Sequence, residues 1–342
     1  MPSNWNPPDD WLKITAIDAH TAGEPLRVIT SGLPPVHGTT ILEKRRYARE
    51  HLDHLRMALM WEPRGHADMY GCIVTEPVTP DGTLGVLFLH NEGFSTMCGH
   101  GVIALTKVAL DTGMIQTDAD HPVIRMDTPA GRVTAFARRE NGRVVEVSFH
   151  NVPSFVYALD KTVHIPGIGW LRYDIAFGGA FYAFCRAEEI GVDLTAKNFR
   201  QLIDIGMRIK LAVMTSLPIQ HPFEKDLGFL YGTIIIGAAH DSSHHSRNVC
   251  IFADGEVDRS PTGTGVSARV ALHHARGEIK TNEPIVIESI LGTCFTGEVI
   301  ETTKFGPYDA VIPKVTGTAH ITGRNELLID PVDPLRHGFI LR

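Results

Sequence analysis

The 342-residue chain lacks the features that mark membrane, secreted and disulfide-bonded proteins. Its nearest approach to a membrane helix, TIIIGAA, is far shorter than the roughly 18 apolar residues that such a helix needs. The polar, proline-rich start MPSNWNPPDDW has no apolar signal-peptide core. Five cysteines, odd in number and irregularly spaced, argue against a disulfide framework. These absences predict a soluble protein of a reducing compartment, the cytoplasm.

The chain also lacks a concentration of positive charge. Its formal net charge is -7, and its lysines and arginines are scattered rather than clustered. Nucleic acid is therefore not an expected partner, because a binding surface for it needs a basic patch. The glycine-rich segments lack the P-loop lysine and the full dinucleotide fingerprint. With 43% hydrophobic residues, the composition fits a globular enzyme or ligand-binding protein that acts on a small molecule.

Two glycine-rich segments of the chain match each other position by position. One begins at Cys98 and the other at Thr262; each has glycine one and three residues later, valine at the fourth position and alanine at the sixth. Each ends on a glycine fifteen residues on, Gly113 and Gly277. The pattern predicts a loop, a helix of about three and a half turns and a glycine cap, twice. The match indicates an internal duplication.

The segments around these loops run in the same order in both halves and favour an α/β (α+β) fold rich in strands. A long helix is predicted over Thr40–Met60, where apolar positions recur beside a charged face. A turn-like joint is predicted over Val152–Gly167, between the halves. Two similar domains that face each other would bring Cys98 and Thr262 to opposite walls of one cleft, a common place for small-molecule sites.

The chemistry of the first loop centres on Cys98. Glycines before a helix expose backbone N–H groups at the positive end of the helix dipole, which suits a carboxylate. A cysteine at the helix N-cap is expected to have a pKa below the free value of about 8.5. Nucleophilic catalysis normally uses a histidine base held by Asn or Asp, and His100 lies on the same turn without such a signature. Cys98 is therefore interpreted as a general base that takes a proton beside a bound carboxylate.

Three motifs carry a family resemblance: MCGHG, DRSPTGTG and the opening DAHTAGEP (Asp18–Pro25). Together they resemble the proline racemase family, and the similarity runs over roughly Leu12–Phe339. The resemblance implies a diaminopimelate epimerase-like fold of two pseudo-symmetric domains, each a barrel-like sheet around a central helix. It implies one domain from residues 1–155 with about 320–342, and a second from 156–319.

Racemases and epimerases of this family carry a cysteine in both loops, whereas this chain has Cys98 and Thr262. This pair resembles the branch of the family that dehydrates trans-3-hydroxy-L-proline to Δ1-pyrroline-2-carboxylate without a cofactor or metal. An alcohol has a pKa far above that of a thiol and shuttles protons poorly near neutrality. With a single competent base, removal of the α-proton is expected to lead to loss of the neighbouring hydroxyl rather than to inversion.

The resemblance also assigns the substrate contacts. Asp258 is expected to hold the ring nitrogen, and Thr262 to hydrogen-bond the substrate or a water on the far face. The substrate-binding residues that the resemblance implies, beside the catalytic Cys98, are Gly99, His100, Asp258, Thr262, Gly263 and Thr264.

Alternatives remain open at this point. Within the family, the chain would be a proline or 4-hydroxyproline racemase or epimerase. Outside it, the candidates are a non-catalytic binder of proline-like acids and, less favoured, a cysteine hydrolase. A homodimer is plausible, because barrel edges are exposed.

The remaining cysteines and histidines are interpreted as structural. His273 and His274 are expected to lie near the second helix's C-terminus, where an imidazolium suits the dipole. The residues expected in the core are Cys72, Cys185, Cys250 and Cys294, and those expected in a polar loop rather than a metal site are His240, His244 and His245.

Overall fold

The computed structural model describes residues 5–341, which form eighteen β-strands and six α-helices. The helices are α1 (Ile41–His51), α2 (Asp53–Met60), α3 (Gly99–Asp111), α4 (Ala187–Ile190), α5 (Phe199–Ser216) and α6 (Gly263–Ala275). The strands of the first half are β1 (Leu12–Thr21), β2 (Glu24–Ser31), β3 (Tyr70–Thr75), β4 (Leu84–His90), β5 (Gly93–Phe94), β6 (Val123–Thr128), β7 (Gly131–Glu140) and β8 (Arg143–His150). The others are β9 (Ser154–Ile165), β10 (Gly169–Phe177), β11 (Phe181–Arg186), β12 (Leu230–Gly237), β13 (Ser246–Phe252), β14 (Glu256–Val257), β15 (Ile285–Glu288), β16 (Cys294–Phe305), β17 (Tyr308–Gly317) and β18 (Ala319–Ile329).

Eight strands of the second half close into a barrel. Hydrogen bonds link them in the ring β9–β10–β11–β12–β13–β15–β16–β17, and β17 returns to β9. Helix α6 lies inside this ring and packs against β9, β10, β16 and β17. Its first ten residues are buried, which explains why it has no polar face.

The first half repeats this arrangement around α3. Strands β1, β2, β3, β4, β6, β7 and β8 follow one another as hydrogen-bonded neighbours. The late strand β18 pairs antiparallel with β1, from Leu12 opposite Ile329 to Thr21 opposite Ala319. The fold predicted from the sequence, two barrel-like sheets each around a helix, is confirmed. We propose that residues 1–155 with about 320–342 and residues 156–319 form the two domains, and the β1–β18 pairing supports this division.

The duplicated helices have the predicted length and ends. Both α3 and α6 contain 13 residues. Gly113 and Gly277 follow one residue after their C-caps with φ values of 76° and 70°. This left-handed conformation is the one in which glycine ends a helix without strain. No helix among residues 5–341 combines the length and apolar character needed to span a membrane.

Two predicted elements differ from the structure. The helix expected over Thr40–Met60 is two helices, because the chain leaves helical geometry at Leu52 (φ -120°, ψ 7°). The turn-like joint expected over Val152–Gly167 is wrong: twelve of its residues form strand β9. Alternating aromatic and β-branched residues favour a strand there, and pairing with both β10 and β17 fixes it in the sheet.

Candidate active site

The N-termini of α3 and α6 meet head to head in the interior of the protein. A Cβ atom added to Gly99 would lie 2.6 Å from the Cα of Gly263, and one added to Gly263 would lie 2.6 Å from the Cα of Gly99. Real Cβ atoms do not approach other atoms so closely, so only glycine permits this contact. Two positive dipole ends and their free N–H groups therefore face one small space, where they favour an anion.

Cys98 is the N-cap of α3, as predicted. Its Sγ accepts a hydrogen bond from the backbone N–H of Gly101 at 3.2 Å, and the residue is only 4% exposed. The expectation of a lowered thiol pKa is wrong for this closed site. Burial raises the pKa of Cys98 well above its usual value, and the Gly101 N–H only partly opposes that effect. Asp258 raises it further, because a second negative charge nearby disfavours the thiolate.

His100 contacts the cysteine directly. Its Nδ1 lies 3.2 Å from Sγ of Cys98, and its Nε2 lies 3.2 Å from the carbonyl oxygen of Pro25. A carbonyl only accepts, so Nε2 carries the proton and Nδ1 is left to accept from the thiol. Burial lowers the pKa of His100 to about 3, which keeps the ring neutral. The sequence placed His100 near the substrate, and the structure adds a contact with the sulfur.

Asp258 lies on the opposite side, between β14 and α6. It is 5% exposed, and its Oδ1 accepts from the backbone N–H of Ser260 at 2.7 Å. Burial raises the pKa of Asp258 to about 6, despite the opposing effect of the hydrogen bonds from Ser260. The neighbouring Arg259 N–H donates to Oε2 of Glu24 at 2.7 Å, which ties this loop to β2 of the first half. Burial also raises the pKa of Glu24 well above its usual value.

The threonines at the start of α6 have different surroundings. Thr262 is the N-cap of α6 with φ 67° and ψ 96°, a strained conformation for a β-branched residue. Its buried Oγ1 has no hydrogen bond of standard geometry within residues 5–341, although it lies close enough to Asp258 to lower the pKa of that carboxyl. Thr264 Oγ1 is hydrogen-bonded to Tyr182 Oη at 2.7 Å.

All seven site residues that the sequence predicted surround one enclosed cavity of about 20 Å³. This volume is about that of one water molecule, so a ring-shaped ligand needs a wider cavity than the one in this conformation. The sequence missed several wall residues, because single tyrosines and a cysteine on separate strands carry no local signal. These residues are Tyr70, Met97, Tyr182, Tyr231, Cys250 and Phe252.

The opening motif, Asp18–Pro25, contacts the segments that carry the site residues. Asp18 pairs with Arg27 at 2.9 Å, and Thr21 Oγ1 donates to the carbonyl of His100 at 2.9 Å. Ala22 and Gly23 both have positive φ and form the tight turn between β1 and β2. The motif thus anchors the first turn of α3 and places Glu24 against the loop of Asp258.

The other cysteines and the histidine-rich segment lie mainly outside the cavity. Cys72, Cys185 and Cys250 are buried in the core as predicted, and Cys250 also lines the cavity, whereas Cys294 is half-buried. His244 Nδ1 contacts Glu288 Oε1 at 2.9 Å. Within the described part of the chain, no group of three or more potential ligands is suited to a metal ion.

Comparisons with known proteins agree with this arrangement. The family described as "Proline racemase" matches residues 16–340. The chain is 50% identical to the trans-3-hydroxy-L-proline dehydratase of Colwellia psychrerythraea, with 99% of this chain and 96% of the relative covered. It is 47% identical to the human trans-3-hydroxy-L-proline dehydratase, with 96% and 95% covered.

Solved structures extend the comparison to three dimensions. A hydroxyproline epimerase from Agrobacterium vitis, crystallised with trans-4-hydroxy-L-proline, superimposes with a TM-score of 0.92 at 29% identity and covers 97% of this chain. A methylitaconate-delta-isomerase at 12% identity and a TM-score of 0.53 shares the fold alone. With paired helix N-termini, a cysteine at one and a family match over nearly its whole length, the chain belongs to the proline racemase family.

Proposed function

We propose that this protein is a trans-3-hydroxy-L-proline dehydratase, which eliminates water from its substrate to give Δ1-pyrroline-2-carboxylate. The observation that carries the proposal is the pairing of one thiol, Cys98, with one alcohol, Thr262, at the two helix N-termini. Full-length relatives at 47–50% identity bear the name of this activity.

The substrate's two charges match the two kinds of group in the cavity. Its carboxylate is held by backbone N–H groups at the start of α6, from Gly263 and Thr264, with the α3 terminus opposite. Its ring ammonium pairs with Asp258, whose burial makes an ionised carboxylate costly unless a cation joins it. The same ammonium stabilises a thiolate at Cys98, because an opposite charge favours the charged form of a group. Substrate binding therefore offsets the burial that raises the thiol pKa.

The reaction is a proton transfer followed by loss of the hydroxyl on the same ring face. The thiolate of Cys98 takes the Cα proton, and the electron pair of the broken C–H bond forms the Cα=Cβ double bond as the Cβ–O bond breaks. The thiol returns that proton to the departing hydroxyl, which leaves as water and regenerates the thiolate. The enamine product then tautomerises to Δ1-pyrroline-2-carboxylate. His100 Nδ1, 3.2 Å from Sγ, orients the sulfur by accepting a hydrogen bond from the resting thiol, whose proton passes to solvent when the substrate's ammonium stabilises the thiolate.

Thr262 explains why elimination rather than inversion follows. Inversion needs a proton delivered to the opposite face of Cα, and a threonine hydroxyl is too weak an acid for that step. The second candidate function is a racemase or epimerase of the same family. A protein with that function would exchange the α-proton of proline with solvent.

The test is incubation of purified protein with trans-3-hydroxy-L-proline, with the product followed by a coupled reductase that converts it to proline. We expect turnover in the native protein and a loss of at least about 10³-fold in Cys98→Ser, because serine has no acidity comparable to a thiol. Inversion of 4-hydroxyproline without any dehydration would contradict the proposal and favour the epimerase.

A further inference from the structure

A second cavity, of about 410 Å³, lies beside the middle of α6 in the second barrel. Its wall includes Arg269 and His273, which follow Thr262 by seven and eleven residues. At 1.5 Å per residue, Arg269 is about 10 Å along the helix from the catalytic end. None of the residues that line the catalytic cavity lines this one.

Arg269 is a buried guanidinium that has only neutral partners. It is 2% exposed, and its Nη1 donates to Ser246 Oγ at 2.8 Å and to Asn248 Oδ1 at 2.9 Å. Its Nη2 contacts His273 Nε2 at 2.8 Å, and its Nε has no hydrogen-bond partner among residues 5–341. No carboxylate in that part of the chain forms an ion pair with it. A buried charge without a counter-charge is costly, so this arrangement favours an anion.

His273 does not supply or cancel charge at this position. Because its Nε2 accepts from Arg269, its proton lies on Nδ1, which donates to Glu278 Oε2 at 2.5 Å. Burial lowers the pKa of His273 to about 4, so the ring is neutral near pH 7. The imidazolium that the sequence predicted here is therefore wrong, because burial and Arg269 outweigh the helix dipole. Glu278 forms no ion pair with Arg269 within the described residues, although its charge is close enough to oppose the lowering of the Arg269 pKa by burial.

The other carboxylates on the cavity wall are Asp160, Asp174, Glu188 and Glu189. Asp160 and Asp174 both pair with Arg276, at 3.2 and 2.8 Å. Glu189 accepts the backbone N–H of Arg172 at 3.1 Å, and Glu188 is exposed. Burial lowers the pKa of Arg269, the positive charge of Arg186 lowers it further, and the negative charge of Glu278 opposes both effects. The wall of the cavity therefore carries both signs of charge, and among residues 5–341 Arg269 is the buried positive group on it that has no ion pair.

The internal duplication shows that these charges are not required by the fold. At the equivalent positions of α3, seven and eleven residues after Cys98, the chain has Leu105 and Ala109, which are fully buried in an apolar core. The same helix position in the same kind of barrel is therefore filled by apolar side chains in one half and by Arg269 and His273 in the other. A stable barrel of this type does not need a buried arginine there.

We propose that this cavity is a second ligand site, which binds a small oxyanion, a carboxylate or phosphate group, through Arg269 with Arg186 at its side. The ligand supplies the negative charge that the buried guanidinium lacks. The ligand binds at a distance from Cys98 but contacts α6, the helix whose N-cap is Thr262. Its binding therefore stabilises α6, including the N-terminus of α6 at the catalytic cavity.

Thermal unfolding with inorganic phosphate, and separately with acetate, at constant ionic strength set by chloride tests the proposal. We expect a saturable rise in Tm of about 2 °C or more with at least one of the two ions, because a ligand bound only to the folded state stabilises it by mass action. The ion that acts identifies the preferred oxyanion. A chloride-matched titration in which neither ion raises Tm overturns the proposal.

Single-residue variants show which side chains bind the ion that raises Tm. Arg269→Leu, which copies Leu105, is expected to lose the Tm rise, and the exposed Arg186→Gln is expected to weaken binding at least threefold. Arg143→Gln, an exposed charge on β8, is the matched control and keeps the native response. Cys98→Ser also keeps it, because that residue lies in the other cavity. If Arg269→Leu does not fold, Arg186→Gln decides: native affinity in that variant overturns the proposal, as does a response that disappears in Cys98→Ser.

Discussion

The contact between Gly99 and Gly263 gives the most direct test of how the two helix ends form the site. In Gly263→Ala, the new Cβ would start 2.6 Å from the Cα of Gly99 and 3.0 Å from its carbonyl carbon. Carbon atoms in contact prefer 3.5–4.0 Å, so the helix ends must separate by about 1 Å. Overpacking of this kind costs about 1–3 kcal/mol, and the alanine returns at most about 1 kcal/mol of helix propensity. The net loss of unfolding free energy is about 0–3 kcal/mol.

The effect on catalysis is expected to be much larger than the effect on stability. A displacement of about 1 Å between Cys98 and the groups on α6 lowers kcat/KM by about 10²-fold, because it moves the base away from the bound Cα–H. The coupled reductase assay measures kcat/KM, and thermal unfolding measures stability in parallel. Gly323→Ala on β18 is the matched control, since no atom lies within 3.8 Å of its added Cβ. Native-like kcat/KM in Gly263→Ala would refute the idea that the helix ends must touch.

Three further predictions follow from the charges and the sulfur contacts. Below pH 6, kcat/KM is expected to fall because Asp258, with a pKa of about 6, becomes neutral and no longer holds the substrate's ammonium. Asp258→Asn should have low activity at every pH and lack this fall. A pH profile of Asp258→Asn that matches the native one would contradict the role of Asp258 in binding the ammonium. His100→Ala is expected to lower kcat about 10–100-fold with a smaller change in KM. It is also expected to move the rise of activity with pH to lower pH, because the neutral thiol of Cys98 loses the acceptor that favours it. Thr262→Cys is expected to introduce exchange of the α-proton of proline with deuterium from solvent, which NMR detects. If this variant folds and binds proline but shows no exchange, Thr262 is not the residue that prevents inversion.

Much of the site was predictable because its signals are local. The glycine spacing after Cys98 and Thr262 indicated two helices of the same length, and both α3 and α6 have 13 residues. The N-cap position of Cys98 followed from the same pattern. Gly99 and Gly263 were assigned to the site by resemblance, and the structure gives the physical reason for glycine at both, a backbone contact that no side chain permits.

The errors arose where a local rule met a tertiary effect. A helix N-terminus by itself lowers a thiol pKa, but burial of Cys98 beside Asp258 has the larger, opposite effect. Likewise, His273 near a helix C-terminus was expected to be charged, but burial against Arg269 keeps it neutral. In both cases desolvation sets the direction of the pKa shift, and the extent of desolvation depends on the whole fold.

The sequence by itself determined the family, the duplicated loop and helix, and the thiol–alcohol pair, because these depend on residue identity at fixed spacing. Only the tertiary structure decided that Tyr70, Tyr182 and Tyr231 line the cavity, and that Arg269 is buried with no ion pair to any of residues 5–341. Strand pairing between residues far apart in the chain brings these side chains together, and no local pattern encodes those distances. The positions of the site residues could therefore be predicted from the sequence, whereas the electrostatics of the site required the folded barrels.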